Sequence, residues 1–205
     1  VVTTVQGMRW TQVTLRGQAG HSGTYPMERR RDALVSAARV VTGVDEIGRT
    51  LPTPGRATVG RLEVHPNSPN VIPGQVDLVV EFRHPDSATL DDMDTALSQL
   101  LGSLDVEVTQ KRLLDSAPVL FDAHLVNAVE QAATASGVTS QRMVSGAGHD
   151  ACQTSAVLPT AMIFIPCDQG ISHAEAERIT PQWAADGANV LLQAVLLADG
   201  LDIGG

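Results

Sequence analysis

Six histidines, two cysteines and a few glycine-flanked polar residues are the groups through which these 205 residues could do chemistry. His21 stands in Gly17-Gln18-Ala19-Gly20-His21-Ser22-Gly23, where glycines permit close backbone approach and leave the imidazole on a loop just after a strand. Taken alone, such a histidine is more often bland than functional. His65 and His84 flank prolines at strand ends and His124 lies in a first helical turn; all three read as solvated. His149-Asp150 follows Ser145-Gly146-Ala147-Gly148 at an expected helix N-terminus, where backbone N–H groups can hold an anion. His173 follows Gly170-Ile171-Ser172, directly after an apolar run and before Glu175 and Glu177. A histidine at the carboxyl end of a buried strand lies where α/β proteins place their sites. No HxxH or HExxH pair accompanies any of them, so spacing alone defines no metal centre.

Nucleophilic catalysis finds little footing. There is no GxSxG elbow, and Ser145 lacks its spacing. Gly146 and Gly148 form only a fragment of a phosphate-binding glycine loop. Cys152 and Cys167 read as structural thiols. Among the charged residues Arg83 is singled out, because a guanidinium on the polar face of a strand end can present a bidentate fork to a carboxylate. The competing reading is a surface pair with Asp86 or Glu81. Asn70, in Asn67-Ser68-Pro69-Asn70-Val71-Ile72-Pro73-Gly74, serves equally well as a turn residue bonding its own backbone.

Fourteen Lys and Arg against 23 Asp and Glu give a net charge of −9, and the pI is near 5.0. Without a dense basic cluster (Arg29 to Arg31 is too short), a nucleic-acid or anionic-membrane surface is not expected, since both need concentrated positive charge. No apolar run approaches the ~20 residues of a membrane-spanning helix. The two cysteines offer neither a disulfide framework nor a CxxC pattern, which fits a reducing cytoplasm. The chain begins at Val1 rather than Met, already in strand-like sequence, so the true start is expected elsewhere.

Two kinds of strand are legible among the elements that must position these groups. Val76 to Arg83 alternates, with Val76, Leu78, Val80 and Phe82 on one face and Asp77, Val79, Glu81 and Arg83 on the other. Asp105 to Arg112 does the same, with Val106 and Val108 inward, and further strands are expected at Arg9 to Leu15 and Thr58 to Val64. Amphipathic helices are expected over Met27 to Val41 and Leu90 to Leu104. The order β-α-β-β-α-β predicts a ferredoxin-like two-layer sandwich, an α+β domain of residues 1–115. Residues 116–205 read as part of an α/β domain. Thr160 to Ile165 (TAMIFI) is expected as a strand buried on both faces, and Gln141 to Val144 as a second. Helices are expected over Asp122 to Ser136, near His149, and from Thr180-Pro181 to Gly200. Two strands close no α/β core, which implies that the rest of the sheet lies in sequence beyond this chain. Leu51 to Gly55 and His65 to Gly74 read as loops.

Taken together, AGHSGTYPMERRRDAL, HPNSPNVIPGQVDLVVEFRHPD, SGAGHDA and PCDQGISHAEAE resemble the metal-dependent amidohydrolases related to aminoacylases and zinc carboxypeptidases. Within them the likeness is to the branch of N-carbamoyl-L-amino-acid hydrolase and allantoate amidohydrolase. It covers only the later part of that family's chain. The resemblance implies a zinc-peptidase-like α/β catalytic domain interrupted by a ferredoxin-like dimerisation or lid domain, with the catalytic domain's amino-terminal part absent here. It implies His173 as the last metal ligand of a two-metal site. His21 becomes the lid histidine that reaches the partner subunit's active site and stabilises the developing oxyanion. Asn70 and Arg83 hold the substrate, Arg83 gripping its carboxylate, and the Ser145-Gly146-Ala147 backbone lines the pocket. The implied cofactors are two divalent ions (Zn, Mn, Co or Ni) in the complete enzyme and none held stably by this chain alone, because the family's other ligands and its general-base glutamate have no counterpart here.

The expected activity is hydrolysis of a linear C–N bond in N-carbamoyl-L-amino acids or allantoate by a cytoplasmic homodimer joined through the lid domain, acting on a small substrate with a carboxylate, and inactive as this chain alone. The alternatives are a non-catalytic dimerisation and binding module, or an aminoacylase or peptidase of the same superfamily.

Overall fold

The computed structural model describes residues 1–52 and 55–200. Its elements run β1 (Val2–Val5), β2 (Gly7–Arg16), β3 (Gly20–His21), α1 (Ala33–Thr50), β4 (Arg56–His65), β5 (Val71–Ile72), β6 (Gln75–His84), α2 (Ser87–Gly102), β7 (Glu107–Ser116), β8 (Val119–Leu120), α3 (Ala123–Ala135), β9 (Met143–Ser145), α4 (Asp150–Thr154) and α5 (Pro181–Asp199). Two compact units result: Gln6–Pro118, and Val1–Val5 together with the chain from Val119 onward. The expected division at residue 115 thus differs in two respects: the boundary falls after Pro118, and Val1–Val5 join the second unit. Val2–Val5 form a strand of the second unit, because β1 finds its partners in β8 and β9.

In the first unit four strands form an antiparallel sheet in the order β4-β6-β2-β7. The alternation read in β6 holds: Val76, Leu78, Val80 and Phe82 are all buried, and α1 and α2 cover that face with Ala37, Val40, Val44, Leu90, Met93 and Leu97. Asp32 Oδ1 accepts the Leu34 and Val35 N–H groups at 2.9 and 3.2 Å, and Asp86 Oδ2 accepts that of Thr89 at 2.8 Å. Each carboxylate answers donors that a helix start leaves open. The cap at Asp32 corrects the first expected helix. Met27–Arg29 is a separate 3₁₀ turn, Arg30 is extended, and α1 runs on through Gly43 to Thr50. At Gly43 an added Cβ would lie 2.5 Å from Leu100 Cδ2, so the glycine serves close helix packing rather than a helix end. The last strand begins at Glu107; Val106 is buried before it and Val108 half-buried within it. Where the sheet meets α2, the half-buried Arg9 guanidinium reaches Asp91 and Asp94 at 2.7 Å and Asp115 at 3.2 Å.

In the second unit a three-stranded sheet, β8-β1-β9, packs with α3 and α5 around Val2, Val5, Phe121, Val129 and Val190. β9 runs parallel to β1 and begins at Met143, two residues later than expected for that strand. Thr180 caps α5 through the Trp183 N–H at 3.1 Å with Pro181 in its first turn, as its sequence signals.

TAMIFI is the principal correction: it is no strand. β1 is four residues long and β8 takes Thr4 and Val5, which leaves Val2 alone to bridge Met162. Ala161, Met162 and Ile163 nevertheless pack against the core. Between this segment, α3 and α5 lies an open apolar trough of about 600 Å³ lined by Leu125, Met162, Ile165, Leu191 and Val195. The loop expected at Leu51 to Gly55 includes residues 53 and 54, which lie outside the described residues. No helix among the described residues is long and apolar enough to cross a membrane.

Candidate functional site

Two short strands carry the first pair of candidates. β3 and β5 pair antiparallel, with His21 opposite Val71, and the Ser22 N–H donates to the Asn70 carbonyl at 3.0 Å. His21 and Asn70, distant in sequence, therefore lie side by side on one exposed edge. The loops that hold them are tied together at their bases: the Gly17 N–H donates to the Gly74 carbonyl at 2.9 Å and the Gln18 N–H to the Arg31 carbonyl at 2.8 Å. Gly17 is required here, since a Cβ would stand 1.9 Å from the Arg31 oxygen.

Local hydrogen bonds set what these two side chains offer. The Gly23 N–H donates to His21 Nδ1 at 3.0 Å, so the neutral imidazole carries its proton on Nε2. Ser68 Oγ donates to Asn70 Oδ1 at 2.9 Å, which leaves the Asn70 amide NH₂ as its outward group. The edge thus presents N–H donors, the requirement for holding an oxygen that gains negative charge.

Arg83 does not join them. It sits at the other end of β6, opposite Met8, where the chain enters the sheet at Gly7 and leaves it at Ser116. Eight residues of antiparallel strand, about 27 Å, separate Arg83 from Gln75, at which the ladder ends on the His21 side. Its Nε donates to Glu81 Oε1 at 2.5 Å. Of the two surface partners weighed from sequence, Glu81 is the one found. Asp86 is engaged in capping α2, and the Thr89 N–H bond holds its carboxyl below the usual carboxylate range.

The remaining candidates belong to the second unit. Ser145 is buried, and its Oγ lies 2.9 Å from His149 Nε2 while accepting the Ala147 N–H at 3.2 Å. Its hydroxyl is committed to the loop's own geometry, so Gly146 and Ala147, which are exposed, form the accessible surface of this stretch. His149 also meets the Phe164 ring edge-on, with centroids 5.2 Å apart. His173 is exposed, follows a short turn at Asp168–Gly170 rather than a strand, and has φ +57. Its N–H donates to Glu177 Oε2 at 2.8 Å. A non-glycine residue held at positive φ is uncommon and marks a constrained position. Among the described residues no three His, Cys, Asp or Glu side chains converge as a metal site, so this donor set by itself does not fit a metal ion.

Two features escaped the sequence. The Ser145–His149 pair is visible as a spacing of four but has no motif that announces it. Arg30, whose guanidinium meets the His21 loop, lies inside a basic triplet that reads only as too short for a nucleic-acid or anionic-membrane surface.

Comparison with known proteins gives a consistent result. The sequence model of peptidase family M20/M25/M40 matches residues 17–197. An N-carbamoyl-L-amino-acid amidohydrolase of Rhizobium meliloti is 40% identical over 200 residues, covering 96% of this chain and 48% of the relative. An allantoate amidohydrolase of Escherichia coli K12 is 33% identical over 195 residues, covering 93% and 47%. Among solved structures, a hydantoinase/carbamoylase-family amidase from Burkholderia multivorans superposes with a TM-score of 0.86 at 49% identity, over 95% of this chain and 48% of that one. The chain spans about half the length of the curated relatives it matches.

Proposed function

The chain belongs to peptidase family M20/M25/M40, and from that premise we propose that it is the carboxyl-terminal portion of a metal-dependent amidohydrolase. Its reaction is hydrolysis of the carbamoyl or ureido C–N bond of an N-carbamoyl-L-amino acid or of allantoate. Relatives bearing both activities are more than 30% identical over nearly all of this chain. The unit Gln6–Pro118 serves as a ferredoxin-like lid and dimerisation domain, and its antiparallel sheet flanked by two helices supports that assignment.

The structural observation that carries the proposal is the joint edge of His21 and Asn70 at one end of the sheet, with Arg83 at the other. A carbamoyl amino acid is a few ångströms long. It cannot touch residues about 27 Å of strand apart, so the His21–Asn70 edge and Arg83 of one chain serve different sites of a homodimer. Each complete site then holds Arg83 from one subunit and His21 with Asn70 from the other. In it the Arg83 guanidinium binds the substrate carboxylate as a fork. His21 Nε2–H donates to the carbonyl oxygen as that oxygen gains charge, and the Asn70 amide orients the same group. His173 contributes one ligand to a metal centre whose other ligands lie outside this chain.

Full-length protein supplied with divalent ions should release ammonia from N-carbamoyl-L-amino acids or allantoate. N-acyl amino acids and dipeptides should be poor substrates. Preference for N-acyl amino acids or peptides would replace the ureido assignment with an aminoacylase or peptidase. That no metal-binding side chains converge among the described residues also supports a second reading, in which the chain acts as a non-catalytic binding and dimerisation module. Full-length protein inactive on all these compounds, with every metal tried, would establish that one.

A further inference from the structure

We propose that Arg30 is a positioning residue for His21, fixing the loop that sets the tautomer and direction of the imidazole; this rests on the oxyanion role given to His21 above. Arg30 leaves the 3₁₀ turn in an extended conformation, its own N–H donating to the Met27 carbonyl at 3.2 Å. From there its half-buried side chain turns back onto the His21 loop. Nε and Nη2 both donate to the Tyr25 carbonyl, at 3.1 and 3.0 Å, and Nη2 also donates to the Ser22 carbonyl at 2.5 Å. Among the described residues Arg30 makes no ion pair with a carboxylate. Its donors go to neutral backbone oxygens instead, which is not the pattern of a surface salt bridge.

Those two oxygens belong to a turn whose other bonds run to His21 and Asn70. The His21 carbonyl is taken by the Tyr25 N–H at 3.2 Å, and the Ser22 N–H is held by Asn70. The Gly23 N–H is aimed at His21 Nδ1. Three N–H groups of the Ser22–Tyr25 turn are satisfied by His21 and Asn70, and the Ser22 and Tyr25 carbonyls by Arg30. The planar fork suits this task because one rigid group spans two acceptors. A lysine ammonium is a point charge on a flexible stem and lacks the second nitrogen, Nε, that Arg30 also sets on the Tyr25 carbonyl, so it holds the loop less rigidly. Without the guanidinium both carbonyls turn toward water and the Gly23 N–H loses its fixed direction. The proton then redistributes between the two imidazole nitrogens, which removes part of the Nε2–H donor.

The test uses full-length protein with ¹⁵N-labelled histidine. In the wild type the His21 resonances should report protonation on Nε2, and the Gly23 amide should exchange slowly. In Arg30→Ala the two nitrogen shifts should move toward each other and the Gly23 amide should exchange faster, while the thermal transition stays cooperative. kcat should fall about 10- to 100-fold with KM little changed, since misplacing a donor by an ångström costs on that order. Arg30→Lys should recover part of the loss at most. Unchanged His21 shifts and Gly23 exchange in Arg30→Ala would overturn the proposal, as would full recovery by lysine. If Arg30→Ala shifts the imidazole as expected while His21→Ala retains activity, the positioning stands and it is the oxyanion role of His21 that fails.

Discussion

Subunit complementation tests the division of labour between Arg83 and the His21–Asn70 edge. On the proposed assignment His21→Ala removes one oxyanion donor, and full-length protein carrying it should lose about 10²- to 10³-fold in kcat. Arg83→Ala removes the carboxylate fork and should be comparably poor at low substrate concentration. The two inactive homodimers are then mixed under conditions that exchange subunits. Random exchange makes half of the dimers mixed, and in each mixed dimer one site carries both substitutions and the other carries neither, so about one quarter of all sites are intact. Activity should climb from below about 1% of wild type to about 25%, with the time course of exchange. The control mixes His21→Ala with Asn70→Ala. These residues share one edge through the Ser22 N–H bond to the Asn70 carbonyl, so they travel together, every mixed site lacks one of them, and no activity should return. Recovery in the control, or none in the Arg83 mixture despite confirmed exchange, would refute the argument from strand length.

Phe82→Ala should destabilise the unit Gln6–Pro118 by about 3–5 kcal/mol, because its ring is only 1% exposed within the sheet–helix core; a loss from denaturant unfolding of less than a third of that would show that the site collapses. Asp77 lies below the usual carboxylate range because the Thr14 hydroxyl and then the Gln75 amide hydrogen-bond its charged form. Its contribution is therefore present above the ordinary carboxylate pKa of about 4 and fades as pH falls through the lowered value. Asp77→Asn should cost melting temperature at pH 7 and progressively less below about pH 4, and a constant difference would contradict the assignment. His173→Ala in full-length protein should lower bound metal by elemental analysis, and undiminished metal would remove it from the ligand set. Leu192 and Leu196 are 57% and 60% exposed on α5. Glutamate at both should reduce self-association of this 205-residue chain in sedimentation yet destabilise full-length protein; no effect on either would show that this face meets only water.

What was legible followed local periodicity, and what was missed depended on distant partners. The alternation of Val76, Leu78, Val80 and Phe82 announces a strand with one buried face, and that strand is β6. Thr180-Pro181 announces the start of α5. TAMIFI announces apolar burial, which Met162 and Ile163 obtain, but a strand also needs an edge to pair with, and its sequence carries no information on β1 having only Val2 to offer. Asp32 falls inside the helix expected over Met27 to Val41, although its side chain is what starts α1. His21, Asn70 and Arg83 were found as residue types on loops and strand ends. The relation among them was not, because it lies in the register of strands that no single segment encodes.

That relation follows from topology alone. β2 leaves the entry end of the sheet at Gly7 and finishes at Arg16, α1 returns the chain, and β4 starts again at the entry end with Arg56 opposite Arg83. The segment after β2 and the segment after β4 must therefore emerge at the same far end, where His65 and Arg16 both face Gln75. His21 belongs to the first segment and Asn70 to the second, so the connectivity brings them together however far apart they stand in sequence. β6 then carries the chain back, which puts Arg83 at the entry end although only thirteen positions separate it from Asn70. No lateral reordering of the strands would bring all three to one end, because β6 itself runs from one end to the other. If one substrate needs both a carboxylate fork and an oxyanion donor from this sheet, two copies must supply them, and the proposed dimer is what this connectivity asks for.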